Sequence, residues 1–378
     1  MIHKKLCAAL VALTTTASAF IPFSFANASY RFSDFQGRPP VHVYKSAQMT
    51  PSGMTPAEIK KLYNLPATGG KGTIAIIDAY NDANLEKDLA IFDAQYKLAD
   101  CTVKNRCLEV HKMVSSIASN SQWAMETSLD VEWAHAIAPN AKILLVEAAT
   151  QSGTNLLNAV DYASSRKDVV AISMSWGGPE FSDQLSYDTH FASTTNGAIF
   201  FASSGDSGTG ASWPAASPNV ISVGGTSLRI ASSGSLIAES AWSGSGGGVS
   251  AYEKEPAYQA AYKISKAGGM RAIPDVSYNA DPASGYPIYV TTGSGIKARG
   301  AWYTVGGTSA GAPQWAAIQA LGGTVRAARF YKDKASTSTL KYFRDITSGS
   351  NGTCKYYCDA RARYDYVTGL GSPQTVKF

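Results

Sequence analysis

The chain has 378 residues, of which 45% are hydrophobic, and it carries a formal net charge of +5 at pH 7. This length and composition are sufficient for one large buried core or two smaller ones. The Lys and Arg residues are scattered rather than gathered into runs, so we expect no nucleic-acid partner.

The N-terminus has the pattern of an export signal. A short basic stretch, MIHKK, precedes the apolar run LCAALVALTTTASAF, and small-residue cleavage sites follow at 17–19 and 26–28. The apolar run is shorter than the roughly 20 residues that a membrane span needs. We therefore expect residues 1–28 to be a signal peptide, the protein to be secreted, and no membrane attachment after its removal.

Four cysteines remain after that signal, and they form two close pairs in the sequence. The pairs are Cys101 with Cys107 and Cys354 with Cys358. Disulfides within each pair are the simplest arrangement for an exported chain. A zinc site is the alternative, and it would require the two pairs to meet in space.

The segment after the signal, residues 29–53, is polar and irregular, and we expect a short leader or N-terminal arm there. Folded structure is predicted to begin at TPAEIKKLYNLP. In that stretch Thr55 can cap a helix, Pro56 suits the first helical position, and Glu58 completes a capping box.

Apolar strand segments and helical segments then alternate along the chain. Strands are predicted at 73–80, 142–148, 169–177 and 198–206, and helices at 84–96, 122–138, 154–165 and 183–195. Continuous apolar strands joined by helices predict an α/β fold, with a parallel sheet covered by helices on both faces. Residues 228–300 are richer in Gly and Ser, and they are predicted to form hairpins and loops.

The segment GGTSAGAP, residues 306–313, presents Ser309 between a strand-like run and a helical run. The start of a helix has free N–H groups that can stabilise an oxyanion, so Ser309 is a candidate nucleophile. A near copy, VGGTSL at 223–228, leads into a predicted hairpin, and Ser227 is therefore interpreted as a turn residue. The G-x-S-x-G spacing also fits esterases, but their fold needs a later histidine and none follows Ser309.

A serine needs a neighbouring base, and the histidines are poor candidates. His42 lies in the arm, and His111 and His190 lack any acidic or Gly-rich signature around them. Of the five histidines in the chain, His135 is the best placed, on the predicted helix SQWAMETSLDVEWAHAIAPNA. At about 100° per residue, however, it falls on the side opposite the apolar stripe, near Glu132.

The apolar stripe of that helix carries two carboxylates, Glu126 and Asp130, one turn apart. Carboxylates seldom lie on a core-facing stripe without a partner or a function. Such a pair can share a proton, and Glu126 can then accept the proton of Ser309 while Asp130 supports it. The alternative is a partly buried surface helix on which both acids are solvated.

A third acid, Asp206 in FASSGDSGTG, follows a predicted buried strand. It is expected at the carboxyl end of the sheet, where α/β proteins place their sites. If it keeps its proton, it can donate a hydrogen bond to an oxyanion beside the N–H of Ser309. The alternative is a residue that only stabilises an Asx-turn.

Five motifs occur in order along the chain, namely IAIIDAY, ETSLD, SSGDSG, GGTSAGAP and DIT…YDYVTGLGSP. Together they resemble the sedolisin family of serine-carboxyl peptidases, and the resemblance covers about residues 54–378. The resemblance implies a single subtilisin-like catalytic domain at 54–378 and a secreted, acid-acting endopeptidase. It implies that Ser309 is the nucleophile, Glu126 the general base and acid, and Asp130 the support of Glu126. Asp206 would complete the oxyanion hole, and Asp78 would stay outside the catalytic set.

The resemblance also implies one structural calcium ion near the C-terminus. Its ligands would be the carboxylates of Asp345 and Asp365 and the carbonyls of Ile346, Arg361 and Arg363, an oxygen set that suits calcium. Glycines are usual in the family before the second acid, whereas this chain has DARARYD.

The function expected from the sequence is therefore hydrolysis of proteins or peptides through an acyl-enzyme on Ser309, by a monomer. Two alternatives are kept. One is a non-catalytic secreted binding protein that retains the fold, and the other is an esterase that uses the same serine.

Overall fold

The computed structural model describes residues 30–192, 194–292, 299–332 and 342–378. The predicted signal peptide lies outside these residues. The helices are α1 Pro56–Leu62, α2 Leu85–Tyr96, α3 Ser121–Ile137, α4 Gly153–Ser165, α5 Ala257–Tyr262, α6 Gly311–Ala320 and α7 Ala327–Phe330. The strands are β1 His42–Gln48, β2 Thr73–Ala79, β3 Leu108–Lys112, β4 Lys142–Ala148, β5 Val169–Met174, β6 Gly178–Pro179, β7 Ile199–Ser203, β8 Ser212–Trp213, β9 Val220–Ile230, β10 Leu236–Ala241, β11 Gly248–Lys254, β12 Met270–Ile273, β13 Val276–Asn279, β14 Tyr286–Thr292, β15 Arg299–Gly306, β16 Phe343–Arg344 and β17 Ser372–Pro373.

A mainly parallel sheet forms the centre of the molecule, in the order β10-β9-β7-β5-β2-β4-β3, with β13 also paired to β9. Every pairing is parallel except that of β10 with β9. The predicted α/β class and parallel sheet are confirmed. Parallel strands place their carboxyl ends at one edge, and that edge carries the candidate site.

Side chains of the central strands alternate between two apolar layers, one on each face of the sheet. In β2, Ile74 and Ile76 belong to one buried cluster, whereas Ala75 and Ile77 belong to the other. This alternation follows from the two-residue period of a strand. Both layers are buried, so the strands read as continuous apolar runs in the sequence.

The N-terminal arm is ordered, and the prediction that it is irregular is wrong. Phe35 is fully buried, and its ring centroid lies 5.0 Å from that of Trp213 and 5.6 Å from that of Phe181. Further along, β1 pairs antiparallel with β15 in a second sheet, β1-β15-β14. The sequence does not predict strand β1 because its residues are exposed and carry no apolar pattern. The strand is held instead by backbone pairing with a distant part of the chain.

Two other expectations need correction. The helix expected near 183–195 is a 3-10 helix over Gln184–Phe191. Ser227 lies within strand β9 rather than in a turn, and its hydroxyl donates to Asp281 at 2.7 Å.

The local cysteine pairs are both closed as disulfides, with Cα atoms 4.9 Å apart in Cys101–Cys107 and 5.2 Å apart in Cys354–Cys358. Because all four sulfurs are used, the zinc alternative has no thiolate to draw on. Within the described ranges, none of the helices has the length and apolar character needed to cross a bilayer.

Candidate active site

Ser309 lies where the sequence predicts it, between β15 and α6. A single 3-10 turn, Thr308–Ala310, joins the strand to the helix. Gly307 before it has φ +131°, a backbone conformation that favours glycine and turns the chain sharply. The serine hydroxyl has no hydrogen-bond partner among the described residues, and the side chain is fully buried.

Helix α3 delivers the two predicted carboxylates to the same place. Glu126 and Asp130 are both fully buried, so the solvated alternative is wrong. Asn120 caps the helix by accepting from the N–H groups of Gln122 and Trp123 at 3.0 and 3.2 Å. The helix packs against α6 and against the 3-10 turn before it, which carries the serine.

Helix α3 is buried on all sides rather than along one stripe. Glu132, on the far side, is fully buried and accepts from the N–H of Tyr289 at 3.1 Å. His135 is also fully buried, and its Nε2 lies 3.0 Å from the carbonyl oxygen of Ala99. The sequence therefore separates the two faces correctly, and His135 takes no part in the site.

Glu126 lies between the serine and Asp130, and both influence its ionisation. Burial raises the pKa of Glu126 well above its usual value, and the nearby Asp78 carboxyl raises it further, while the proximity of the Ser309 hydroxyl and the Asp130 carboxyl lowers it. Neither carboxylate oxygen of Glu126 has a hydrogen-bond partner in the described part of the chain. Hydrogen bonds between catalytic groups are often long or poorly aligned in a free enzyme, and they shorten when substrate binds.

Asp130 and Asp78 complete a cluster of buried acids around Glu126. Burial raises the pKa of Asp130 well above its usual value, and the carboxyls of Asp78 and Glu126 raise it further. Burial likewise raises the pKa of Asp78 to about 7, although hydrogen bonding from Thr127 opposes this. Like charges this close cannot all be ionised, so the cluster holds protons that it can pass on.

Asp206 lies on the loop after β7 and contacts the loop that carries the serine. Its Oδ1 accepts from the N–H of Thr308 at 2.8 Å and from the Thr308 hydroxyl at 2.7 Å. The side chain is 5% exposed. Burial raises the pKa of Asp206, and its bonds to His42 and Thr308 oppose that rise.

His42 is the residue near the site that sequence reasoning missed. Its Nε2 lies 3.2 Å from Oδ2 of Asp206, and this contact raises the pKa of His42. Sequence reasoning excludes His42 because it lies in the arm, before the predicted start of folded structure. Only the pairing of β1 with β15, which places His42 opposite Gly306, brings it to the site.

The predicted calcium ligands are brought together around one loop. The N–H of Arg363 lies 2.8 Å from Oδ2 of Asp345, and the N–H of Arg361 lies 3.2 Å from Oδ2 of Asp365. Arg363 adopts φ +70°, so the backbone keeps a left-handed conformation without glycine. Ile346 follows Asp345 directly and is buried.

The two carboxylates of this loop are donors of the type that calcium takes, although the charge of Arg363 already acts on Asp345. In the described part of the chain, no basic side chain forms a salt bridge with Asp345 or Asp365. Burial raises the pKa of Asp365 to about 7, as expected for an acid without a nearby compensating charge. Asp365 already accepts bonds from Val367, Thr368 and Arg361, so a cation would have to displace one of these donors.

Comparisons with known proteins agree with this fold. The family model described as "Subtilase family" matches residues 113–337. The chain is 31% identical to kumamolisin from Bacillus sp. (strain MN-32) over 87% of this chain and 63% of that protein. It is 28% identical to sedolisin from Pseudomonas sp. (strain 101) over 87% of this chain and 61% of that protein. The chain thus spans a little over three fifths of the length of these two relatives.

A solved structure supports the same relationship over nearly all of its length. It is Pseudomonas sedolisin, described as a serine-carboxyl proteinase in complex with two molecules of pseudo-iodotyrostatin. The superposition has a TM-score of 0.72 at 30% identity, and it covers 86% of this chain and 96% of that chain.

Proposed function

The chain belongs to the sedolisin family and has the subtilisin-like fold, and from that premise we propose that it is a serine-carboxyl endopeptidase. The observation that carries the proposal is the placement of Ser309 beside Glu126, with Asp130 behind it, all three fully buried. We assign residues 54–378 to the peptidase domain and residues 29–53 to the arm. The substrates are proteins or peptides.

Glu126 moves the proton in each half of the reaction. The Oγ of Ser309 attacks the peptide carbonyl carbon while Glu126 takes the hydroxyl proton. Glu126 then gives that proton to the leaving amine as the C–N bond breaks and the acyl-enzyme forms. In the second half Glu126 deprotonates a water molecule, which attacks the ester, and the proton returns to Ser309.

Asp130 and Asp206 act on the charges that Glu126 and Ser309 develop. A hydrogen bond from protonated Asp130 steadies the Glu126 carboxylate and orients it. Protonated Asp206 donates to the oxyanion together with the N–H of Ser309. The active form therefore carries a proton on Asp206 and none on Glu126, which confines activity to acid pH.

Export and calcium binding complete the proposal. The N-terminal signal pattern and the two disulfides support a secreted protein. One calcium ion would be held by Asp345, Asp365 and the carbonyls of Ile346, Arg361 and Arg363. When bound, it would supply positive charge between two acids and so stabilise the C-terminal loop.

Covalent labelling tests the proposal. A peptide-based acylating probe is expected to modify wild-type protein at acid pH and to leave the Ser309→Ala variant unmodified. Peptide and simple ester substrates are offered side by side to the same preparations. Failure of Ser309 to react would indicate a binding protein, and ester cleavage without peptide cleavage would indicate an esterase.

A further inference from the structure

A buried histidine at the end of helix α3 lies beside the first disulfide. The sulfurs of Cys101 and Cys107 and a ring nitrogen of His135 all lie within 4.8 Å of one another. Cys101 is 1% exposed and His135 is fully buried, whereas Cys107 is half-buried. None of these three side chains belongs to the candidate active site.

The hydrogen bonding of His135 leaves one ring nitrogen free. A carbonyl oxygen only accepts, so the 3.0 Å contact of Nε2 with the carbonyl of Ala99 places the ring proton on Nε2. Burial lowers the pKa of His135, so the ring is neutral and Nδ1 keeps a lone pair. Among the described residues, nothing bonds to Nδ1. A buried polar atom without a partner is uncommon and indicates a role beyond packing.

The groups behind His135 have the arrangement found around metal-bound histidines. Such a histidine normally donates its other ring N–H to a backbone carbonyl or a carboxylate, which orients the ring and makes it a better ligand. Here Nε2 has both, because Oδ1 of the fully buried Asp93 lies 3.4 Å away, in addition to the Ala99 carbonyl. Oδ2 of Asp93 accepts from the N–H of Cys101 at 3.2 Å, so the same carboxyl group holds the cysteine loop next to the histidine.

This set of donors suits zinc once the sulfurs are reduced. Zn²⁺ prefers thiolate and imidazole ligands in a tetrahedral arrangement, which places neighbouring ligand atoms roughly 3.5 Å apart. The sulfurs must separate and the histidine must approach, and movements of roughly 1–2 Å achieve both from the observed positions. The second disulfide, Cys354–Cys358, has no comparable group of ligands beside it within the described ranges.

From these contacts we propose that Cys101, Cys107 and His135 form a zinc site when their disulfide is reduced, and that zinc then holds this loop in place of the disulfide. A dithiol supplies two electrons and two protons and is itself oxidised to a disulfide, while the Cys101–Cys107 bond becomes two thiols. Zinc then binds the two sulfurs and Nδ1 as the two thiol protons leave. A water molecule completes the tetrahedron on the half-buried side, at Cys107.

Cys107 gives the reductant and the ion access from solvent. It lines an open cleft of about 320 Å³, together with Arg106, Leu108 and Lys142. A reductant that enters this cleft meets the sulfur of Cys107 first, because Cys101 is buried behind it.

The two states connect different parts of the fold. The disulfide joins residues six apart in the sequence, so it restrains only its own loop. A zinc ion that also binds His135 would connect this loop to α3, the helix that carries Glu126 and Asp130. The zinc site uses none of the proposed catalytic groups, so it can be tested independently of the proposed function.

Cobalt binding to the reduced full-length chain tests the site. Co²⁺ accepts the same ligands as zinc, and thiolate ligands give it an absorption band that disappears when zinc displaces it. The chain carries Cys354→Ser and Cys358→Ser, so that only one cysteine pair can respond. A phosphine, which becomes its oxide with oxygen from water, replaces the dithiol because dithiols themselves bind zinc. At about pH 7.5 we expect one Co²⁺ with a thiolate band per reduced chain, and no such band in the oxidised chain.

His135→Gln and His111→Gln form a matched pair of variants. A glutamine at position 135 can still donate to the Ala99 carbonyl, but it has no counterpart of Nδ1. His111 stacks on Tyr162, with ring centroids 3.7 Å apart, and does not belong to the group of ligands. Zinc binding should weaken more than about 100-fold in His135→Gln and about 10–100-fold in Asp93→Asn, which loses an outer-shell charge. It should be unchanged in His111→Gln.

The melting temperature is a second readout, measured with calcium in excess. Zinc should raise the melting temperature of the reduced chain and leave that of the oxidised chain unchanged, because only the reduced, folded site binds the ion. Asp93→Asn gives the same comparison without any change to His135. A reduced chain without the thiolate band, an equal band in His135→Gln, or a reduced chain that stays unfolded in the presence of zinc would each overturn the proposal.

Discussion

At the scale of single residues, the site depends on carboxyl groups in places where other serine peptidases use a histidine. Glu126, Asp130 and Asp78 are all fully buried, and none of them has a cationic partner among the described residues. Burial therefore raises the pKa of each, so these carboxyls keep their protons to higher pH than exposed carboxyls do, and their ionised forms are stronger bases. This explains how a carboxylate can act as a base for serine.

In the proposed mechanism, Asp206 sets the upper limit of the pH range for activity. Activity needs its proton, so activity falls as pH rises through the pKa of Asp206. Asp206→Asn keeps a hydrogen-bond donor at every pH, and its oxygen can still accept from Thr308. We expect the alkaline limb of kcat/KM to move to higher pH in this variant, while the acid limb stays.

The control for that experiment is Asp206→Ala, which removes the donor altogether. It should lower kcat by about 10²–10³-fold without shifting the limb. An alkaline limb that is identical in wild type and Asp206→Asn would show that another group limits activity there.

At the scale of elements, helix α3 determines the positions of Glu126 and Asp130, the two proposed catalytic acids. Its first turn is held by the side chain of Asn120 and leads directly to Glu126. Asn120→Ala leaves two N–H groups without their cap and should reduce the free energy of unfolding by about 1 kcal/mol. Urea denaturation measures this loss, and Asn120→Asp, which keeps the cap, should behave as wild type. Equal stability of all three proteins would mean that the cap does not hold the helix.

The same elements show how far the sequence predicts the structure. Strands β2 and β4 and helices α2, α3 and α4 lie within about two residues of their predicted bounds, because their apolar periodicity is strong. Glu126, Asp130, Asp206 and Ser309 were all located by motif and helix geometry, and the structure brings them together. Local pattern was sufficient because each lies on or directly after a regular element.

The arm could not be predicted because its structure comes from distant partners. His42 pairs with Gly306, and Arg38 pairs with Gly177, each well over a hundred residues away in the chain. No periodicity in residues 29–53 reports such contacts. The burial of Glu132 and His135 on the far face of α3 was missed for a similar reason, since helix periodicity describes one helix and not its surroundings.

At the scale of the whole molecule, calcium is expected to affect stability before it affects chemistry. The loop that carries Asp345 and Asp365 contains none of the proposed catalytic residues. Loss of a cation from this loop would therefore act on the stability of the fold rather than directly on the chemistry. Chelation should lower the melting temperature, and excess calcium should restore it, because a ligand at 100 times its Kd stabilises the folded state by about 2.7 kcal/mol. Asp345→Asn should melt at the same temperature with and without chelator. A wild-type melting temperature that does not respond to chelator would remove the metal from the account.

The account depends most on Glu126 as the group that takes the proton of Ser309. The decisive measurement is cleavage of a denatured protein substrate from about pH 2 to 9 by wild type, Glu126→Gln and Glu132→Gln. Glu132 is an equally buried acid on the same helix, and a glutamine there can still accept from Tyr289. We predict acid-limited activity in wild type and Glu132→Gln, and a loss of about 10²–10⁴-fold in Glu126→Gln. Full activity in Glu126→Gln, or a profile that stays flat into alkaline pH, would show that the base lies elsewhere.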